Sequence, residues 1–217
     1  MLSSIIKRWT NSKLYISIDA RISEKYRSRL RNNSFSILCS NCIGGIIYHR
    51  LGMPFLSPTI NLHLSNPDFV YLCTFLDTYL QQEITFIETD LGHPVGILPG
   101  DGDSIPPVKL YFNHSKTNEE AGNDWNRRKQ RLNIENLFLI MYNLDEIPIE
   151  TIKKLESVPC RNKVIFTAVP LPSIPWSCCI RPNRFRKNAE CYIDRDLFGR
   201  RTFEKHFDFV SWLNQPR

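Results

Sequence analysis

One stretch constrains this chain more than any other. It runs Phe35-Ser-Ile-Leu-Cys-Ser-Asn-Cys-Ile-Gly-Gly-Ile-Ile-Tyr-His-Arg-Leu-Gly52. Phe35 to Leu38 is an apolar run of strand length. Ser40-Asn41-Cys42 forms a small polar turn, and a helical pattern follows up to Leu51. Gly52, with Pro54 just beyond it, is a stop signal. A thiol at a strand-to-helix junction sits where unpaired backbone N–H groups and the positive helix end converge. That setting favours the thiolate, which is the reactive form. The same residues also suit a second account, in which Cys39 and Cys42 are small buried side chains.

The pattern downstream alternates strands with helices. Thr59 to Leu64 alternates like a strand. Asn66-Pro67 starts a helix with Asn66 as its N-cap, and Phe69, Leu72, Cys73, Leu76 and Leu80 form its apolar face. Glu83 to Thr89 suggests a strand, and His93-Pro-Val-Gly96 and Pro99-Gly-Asp-Gly102 read as turns. Val108 to Phe112 is another strand. Thr117-Asn-Glu-Glu120 is a capping box opening a charged helix to about Arg131, with Trp125 on its inner face. Ile134–Tyr142 and Lys163–Val169 read as strands, with a short helix over Pro148–Leu155 between them. The expected class is α/β, a mainly parallel sheet with helices on both faces. An N-terminal amphipathic helix precedes it, and an irregular basic segment from Pro170 to Arg217 follows.

Residues 1–34 read as a basic amphipathic appendage to a single domain over 35–217. Leu14, Ile18, Ile22, Tyr26 and Leu30 recur every four residues, a stripe that suits docking on the domain or lying on a membrane surface. Trp9 beside Lys7 and Arg8 fits the membrane setting. Charge is concentrated at the ends: residues 1–34 hold eight Lys/Arg against two Asp/Glu, and residues 181–205 hold eight against four. Basic ends around a near-neutral body point to an anionic partner. No apolar run reaches the ~18 residues that cross a bilayer. The N-terminal charges follow a very short apolar run, the reverse of a signal peptide. A cytoplasmic protein, peripheral at the inner membrane face, is therefore expected. Seven cysteines, an odd and irregular set, suit reduced thiols.

Two residues fall beyond strand ends with useful chemistry: Cys42 after the first strand and His114 after Val108–Phe112. A thiol within reach of an imidazole is the minimal unit of acyl or related group transfer. Cys42 would be the nucleophile and His114 the base, with nearby N–H groups for an oxyanion. Gly44 and Gly45 would let a substrate approach the backbone, and Asn41 would orient a carbonyl or the imidazole. Asn61 and His63, two residues apart, would share a face lining the cleft. Arg127 and Arg128, with Trp125, Lys129 and Arg131, form a basic cluster that suits a helix C-terminus or a diphosphate. Cys39-x-x-Cys42 also has redox spacing, but its second Cys lies at the helix start. A zinc site lacks a second ligand pair, since Cys178 and Cys179 are adjacent. No metal site is expected, and the residues name no cofactor. Asp101 and Asp103 in a Gly-rich loop offer only two carboxylates to a cation. The Arg181–Arg201 segment, with Phe185, Tyr192 and Phe198, belongs to no recognisable nucleic-acid module, so no specific nucleic acid is expected.

Ser40-Asn-Cys-Ile-Gly-Gly-Ile-Ile-Tyr48, Leu51-Gly, Ser57-Pro-Thr-Ile-Asn-Leu62, Asp68-Phe69, His93-Pro-Val-Gly96, Tyr111-Phe-Asn-His114 and Glu120-Ala through Trp125-Asn-Arg-Arg-Lys129 to Asn136-Leu-Phe138 occur in that order. Together they resemble the DUF1919 family over roughly residues 33–200. Members are usually described as exopolysaccharide or capsule biosynthesis proteins, so the resemblance implies a bacterial surface-polysaccharide role. Cys42 aligns with the cysteine of the family's Ser-Asn-Asn-Cys motif. Of the two histidines in the family's His-Phe-Leu-His-Tyr type segment, His114 alone is kept. The resulting expectation is a transferase adding an acyl or related group to a sugar or lipid-linked sugar intermediate. The alternatives are a glycosyltransferase using a nucleotide-sugar, with Asp101 and Asp103 as its carboxylates, and a non-catalytic interaction subunit of the same machinery.

Overall fold

Two sheets, one parallel and one antiparallel, organise the computed structural model, which describes residues 12–143, 147–180, 195–196 and 199–215. In chain order the elements are α1 (Lys13–Arg29), β1 (Ser36–Cys39), α2 (Ile43–Leu51), α3 (Asn66–Thr74), α4 (Leu76–Gln81), β2 (Thr85–Ile87), β3 (Val95–Leu98) and β4 (Val108–Tyr111). There follow α5 (Asn118–Lys129), β5 (Leu137–Asn143), α6 (Ile149–Lys153), β6 (Asn162–Thr167), β7 (Ser177–Cys179), α7 (Thr202–His206) and α8 (Phe209–Leu213). The parallel sheet has the order β1-β5-β6-β7, and the antiparallel one β2-β3-β4.

The period-two alternation of the parallel strands divides the interior in two. Leu38, Leu139, Met141 and Ile165 face one core, shared with α3, Trp125 of α5 and the inward residues Leu98, Val108 and Leu110 of the antiparallel sheet. Ile37, Phe138, Ile140 and Phe166 face the other, shared with Tyr26 of α1, Ile47 and Tyr48 of α2, and Phe203, Phe209 and Trp212. Helices thus cover both faces, and the mixed α/β class stands.

Four local expectations are corrected. The strand before His114 belongs to the antiparallel sheet, with Val95 opposite Tyr111, and not to the parallel one. Thr59 to Leu64 is a turn that leaves one isolated bridge at His63. Asn61 sits at φ 61°, a left-handed conformation that breaks a strand and that Asn tolerates better than most residues. Val95 and Gly96, within the turn-rich stretch, instead begin β3. Ser65, not Asn66, caps α3, its side chain accepting from Asp68 N–H.

Helix α1 packs with a face turned about one residue from the expected stripe. Tyr15, Ser23 and Tyr26 are buried, whereas Leu14 is 59% exposed. The cause is polar. Arg50 of α2, 3% exposed, donates to Asp19 Oδ1 (2.6 Å), Ser23 Oγ (3.2 Å), Glu204 Oε1 (2.7 Å) and the Gly199 carbonyl. Those bonds set the Asp19–Ser23 side of α1 inward and tie it to the C-terminal region. That region also supplies β7, α7 and α8. The basic, aromatic stretch with Phe185, Tyr192 and Phe198 lies outside the described residues, as do Lys7, Arg8 and Trp9.

Among the described residues, strand β1 pairs with β5 on one side only. On its other side the backbone groups are met by side chains and a loop. Tyr48 Oη accepts from Ile37 N–H (3.1 Å), Thr59 Oγ1 accepts from Cys39 N–H (2.9 Å), and Leu64 N–H donates to Ser40 O (2.9 Å). An edge that would otherwise be open is closed within the chain.

Candidate functional site

Cys42 is the N-cap residue of α2, placed there by the turn after β1. Its side chain makes no cap bond to the helix; the cap comes from its neighbour. Asn41 Oδ1 accepts from Ile43 N–H (3.0 Å) and from the Cys39 thiol (3.3 Å). Cys39 Sγ in turn accepts from Gly44 N–H (3.4 Å). With Asn41 as the surrogate cap, the Cys42 side chain is left half-buried at the surface.

His114 lies in the turn Phe112–Ser115 that follows β4, closed by Ser115 N–H to Phe112 O (3.0 Å). Its Nε2 is 3.5 Å from Cys42 Sγ. The two residues come from different sheets, and the segment His63–Leu64 brings them together. Leu64 bonds to Ser40 at the end of β1, while His63 exchanges backbone bonds with Tyr111 at the end of β4. Cys39, the last residue of β1, is of a different character. It is fully buried, and burial pushes its thiol up to about 12. A thiol so placed stays protonated and inert near neutral pH.

The other candidates divide into near and internal. His63 is exposed, with its ring centroid 5.8 Å from that of Tyr111. Asn61 is half-buried and turns its Oδ1 toward α2: a Cβ built on Gly45 would meet it at 2.3 Å. A Cβ on Gly44 would meet Ile60 Cδ1 at 2.9 Å. The two glycines therefore admit the chain's own Ile60–Asn61 turn, and that turn fills the space expected for substrate. Of the N–H groups near Cys42, those of Ile43 and Gly44 are occupied by Asn41 Oδ1 and Cys39 Sγ.

Arg128 is buried, donates to Ile60 O (2.9 Å), pairs with Asp124 and lies over the Phe55 ring. It buttresses the turn behind Gly45. Arg127 is exposed and pairs with Asp124. Asp101 Oδ1 accepts from the N–H groups of Asp103, Ser104 and Ile105 (2.7–3.0 Å). That carboxylate closes its own loop, and those N–H bonds hold its pKa below the ordinary carboxylate range. Among the described residues no three His, Cys, Asp or Glu side chains are grouped so as to hold a metal ion.

Residue-by-residue reading of the sequence missed Tyr111 and His93. Their rings stack at 6.4 Å with an interplanar angle of 30°, extending the row that begins at His63. The available signal was parity. His93, Val95 and, across the ladder, Tyr111 alternate onto the outer face of the antiparallel sheet once Val95 is placed in a strand.

A profile described as "Domain of unknown function (DUF1919)" matches residues 14–214. The chain belongs to the DUF1919 family. A relative in Haemophilus influenzae, named as an uncharacterized protein, is 30% identical over 193 residues, covering 89% of this chain and 90% of its own length. The family match spans both sheets, α1 from its second residue, and both Cys42 and His114. DUF1919 membership therefore extends over the whole site.

Proposed function

We propose that this DUF1919 protein is a Cys42–His114 dependent transferase that passes an acyl or related group to a sugar intermediate of bacterial surface-polysaccharide assembly. The observation that carries the reading is the 3.5 Å separation of Cys42 Sγ and His114 Nε2, a thiol–imidazole contact between elements far apart in the chain, at the protein surface. The polysaccharide setting rests on the family resemblance.

In the proposed cycle, His114 takes the Cys42 proton and the sulfur attacks the carbonyl carbon of an activated acyl donor. The bond to the donor's leaving group breaks, and that group departs with the proton from His114. The acceptor hydroxyl then gives its proton to His114 and attacks the thioester. The ester forms, and Cys42 sulfur leaves as the thiolate. General-base assistance of this kind contributes roughly 10²–10⁴-fold. Lipid-linked intermediates would meet the protein at the inner membrane face through its basic ends. Lys13, Arg21 and Lys25 of α1 are exposed there, and among the described residues no helix is long and apolar enough to cross a bilayer.

Cys42→Ser should abolish polymer modification in cells while the purified variant keeps its fold, and iodoacetamide should label Cys42 before the other thiols at neutral pH. Unchanged polymer with equal labelling of the cysteines would overturn the proposal. That result would favour a non-catalytic interaction subunit, a reading supported by the use of Asn41, Gly44 and Gly45 in packing.

A further inference from the structure

A pocket of about 520 Å³ lies beside the turn that carries His114, between the β2–β3 connection and the start of α5. Its place follows from the ladder. Val95 pairs with Tyr111, and Phe112 N–H donates to Pro94 O (2.9 Å), so the His114 turn runs alongside Gly92 and His93. Lys116 and Asn118, two and four residues past His114, form the facing wall. Glu88 and Asp90, both exposed, supply two carboxylates.

The chemistry of this lining is selective. The imidazole plane of His93, stacked on Tyr111, offers an aromatic wall. His93 Nδ1 lies 3.2 Å from Leu91 O, an acceptor only, so this nitrogen carries the proton and Nε2 of the neutral ring is left to accept. Two carboxylates, an amide oxygen and an imidazole nitrogen can take several hydroxyl donors at once, and the Lys116 ammonium donates in return. The volume is in the range for small-molecule sites with a few placed polar groups. Two negative side chains against one ammonium disfavour a phosphorylated ligand.

We infer that this pocket binds the acceptor as a neutral or amine-bearing sugar ring, laid on His93 with its hydroxyls or ammonium toward Glu88 and Asp90. The anionic carrier of such a sugar would then lie outside it. The inference rests on the Cys42–His114 reading only for naming the bound sugar the acceptor; the binding itself does not depend on that chemistry.

The test is a titration of the ¹⁵N-labelled full chain with the methyl glycosides of glucose, N-acetylglucosamine and glucosamine, with glucose 1-phosphate as the anionic comparison. At least one glycoside should shift the amides of residues 87–93 and 116–118, and glucose 1-phosphate should bind more weakly. The Glu88→Gln/Asp90→Asn double variant should lose glycoside binding and reverse the discrimination against the phosphate. His93→Ala should lose binding of both. Shifts confined to other regions, no shift with any glycoside, tighter binding of glucose 1-phosphate, or an unaffected double variant would each overturn the inference. Normal polymer in Cys42→Ser with glycoside binding intact would remove the transferase and keep the site; the opposite pattern would remove the site alone.

Discussion

His63 and Tyr111 exchange two backbone hydrogen bonds, His63 N–H to Tyr111 O at 2.9 Å and Tyr111 N–H to His63 O at 3.0 Å. With the adjoining Leu64 N–H to Ser40 O bond of 2.9 Å, this pair links the carboxyl ends of two sheets. The Cys42–His114 contact depends on that link, because nothing in the course of either strand alone would set residue 42 beside residue 114.

The link can be broken without touching the pair. His63→Pro removes the donor to Tyr111 O, and an unmet backbone acceptor costs about 1–3 kcal/mol where it is shielded from water. His63→Ala keeps both backbone bonds. Iodoacetamide labelling of Cys42 at neutral pH should therefore slow in His63→Pro and stay close to wild type in His63→Ala. Equal rates in the two variants would show that the bridge does not hold the pair.

His114→Ala should slow alkylation of Cys42, because it removes an imidazole in contact with the thiol that can take its proton. Cys39 should remain unlabelled in the folded protein, being fully buried with its thiol pushed up to about 12. Mass spectrometry of the alkylated peptides reads both outcomes.

Gly45→Ala should destabilise the protein by about 1–3 kcal/mol, the usual cost of overpacking, since its new methyl would lie 2.3 Å from Asn61 Oδ1. Asn61→Gly removes that oxygen and suits the φ of 61°. The double variant should recover stability relative to Gly45→Ala in urea denaturation. Simple additivity of the two changes would place the clash elsewhere.

Arg50→Met should be more damaging than any of these substitutions. It would leave Glu204, whose side chain is 0% exposed, without its cationic partner, and such a loss costs about 3–5 kcal/mol. Since Arg50 also holds Asp19 and Ser23, α1 should loosen along with α7. Faster amide exchange in both helices would show it, and unchanged exchange in α1 would assign its docking to apolar contacts alone.

Asp208 gives the protein an acid-sensitive contact. Burial raises its pKa, but hydrogen bonds from Arg29 and Ser211 outweigh that and hold it below the ordinary carboxylate value. A lowered folded-state pKa means the stabilisation is fully present above the unfolded carboxylate range, near pH 4, and fades as pH falls through the lowered value. Asp208→Asn should flatten that part of the stability–pH curve; an unchanged acid limb would rule the contact out as its source.

The mixed α/β class was legible in the sequence, whereas the partners of individual strands and turns were not. The strand–turn–helix around Cys42 could be read because apolar run, polar turn and glycine stop all lie within eighteen consecutive residues. His114 could be placed at a strand end, but which sheet held the strand was decided by partners at Val95 and His63, far away in the chain. Thr59 to Leu64 has strand-like alternation, yet its conformation answers to Gly45, against which Asn61 packs, and to Arg128, which holds Ile60 O. Leu14 matched a four-residue period, and a buried guanidinium on α2 turned the helix away from it.

The capped flank of β1 has a consequence for assembly. Tyr48 and Thr59 take the N–H groups that a visiting strand would need, so the parallel sheet cannot be lengthened from that side by β-augmentation. A partner recruited along this flank of β1 must be recognised through side chains and loops. That margin of the protein is thereby kept from serving as a template for polymerisation.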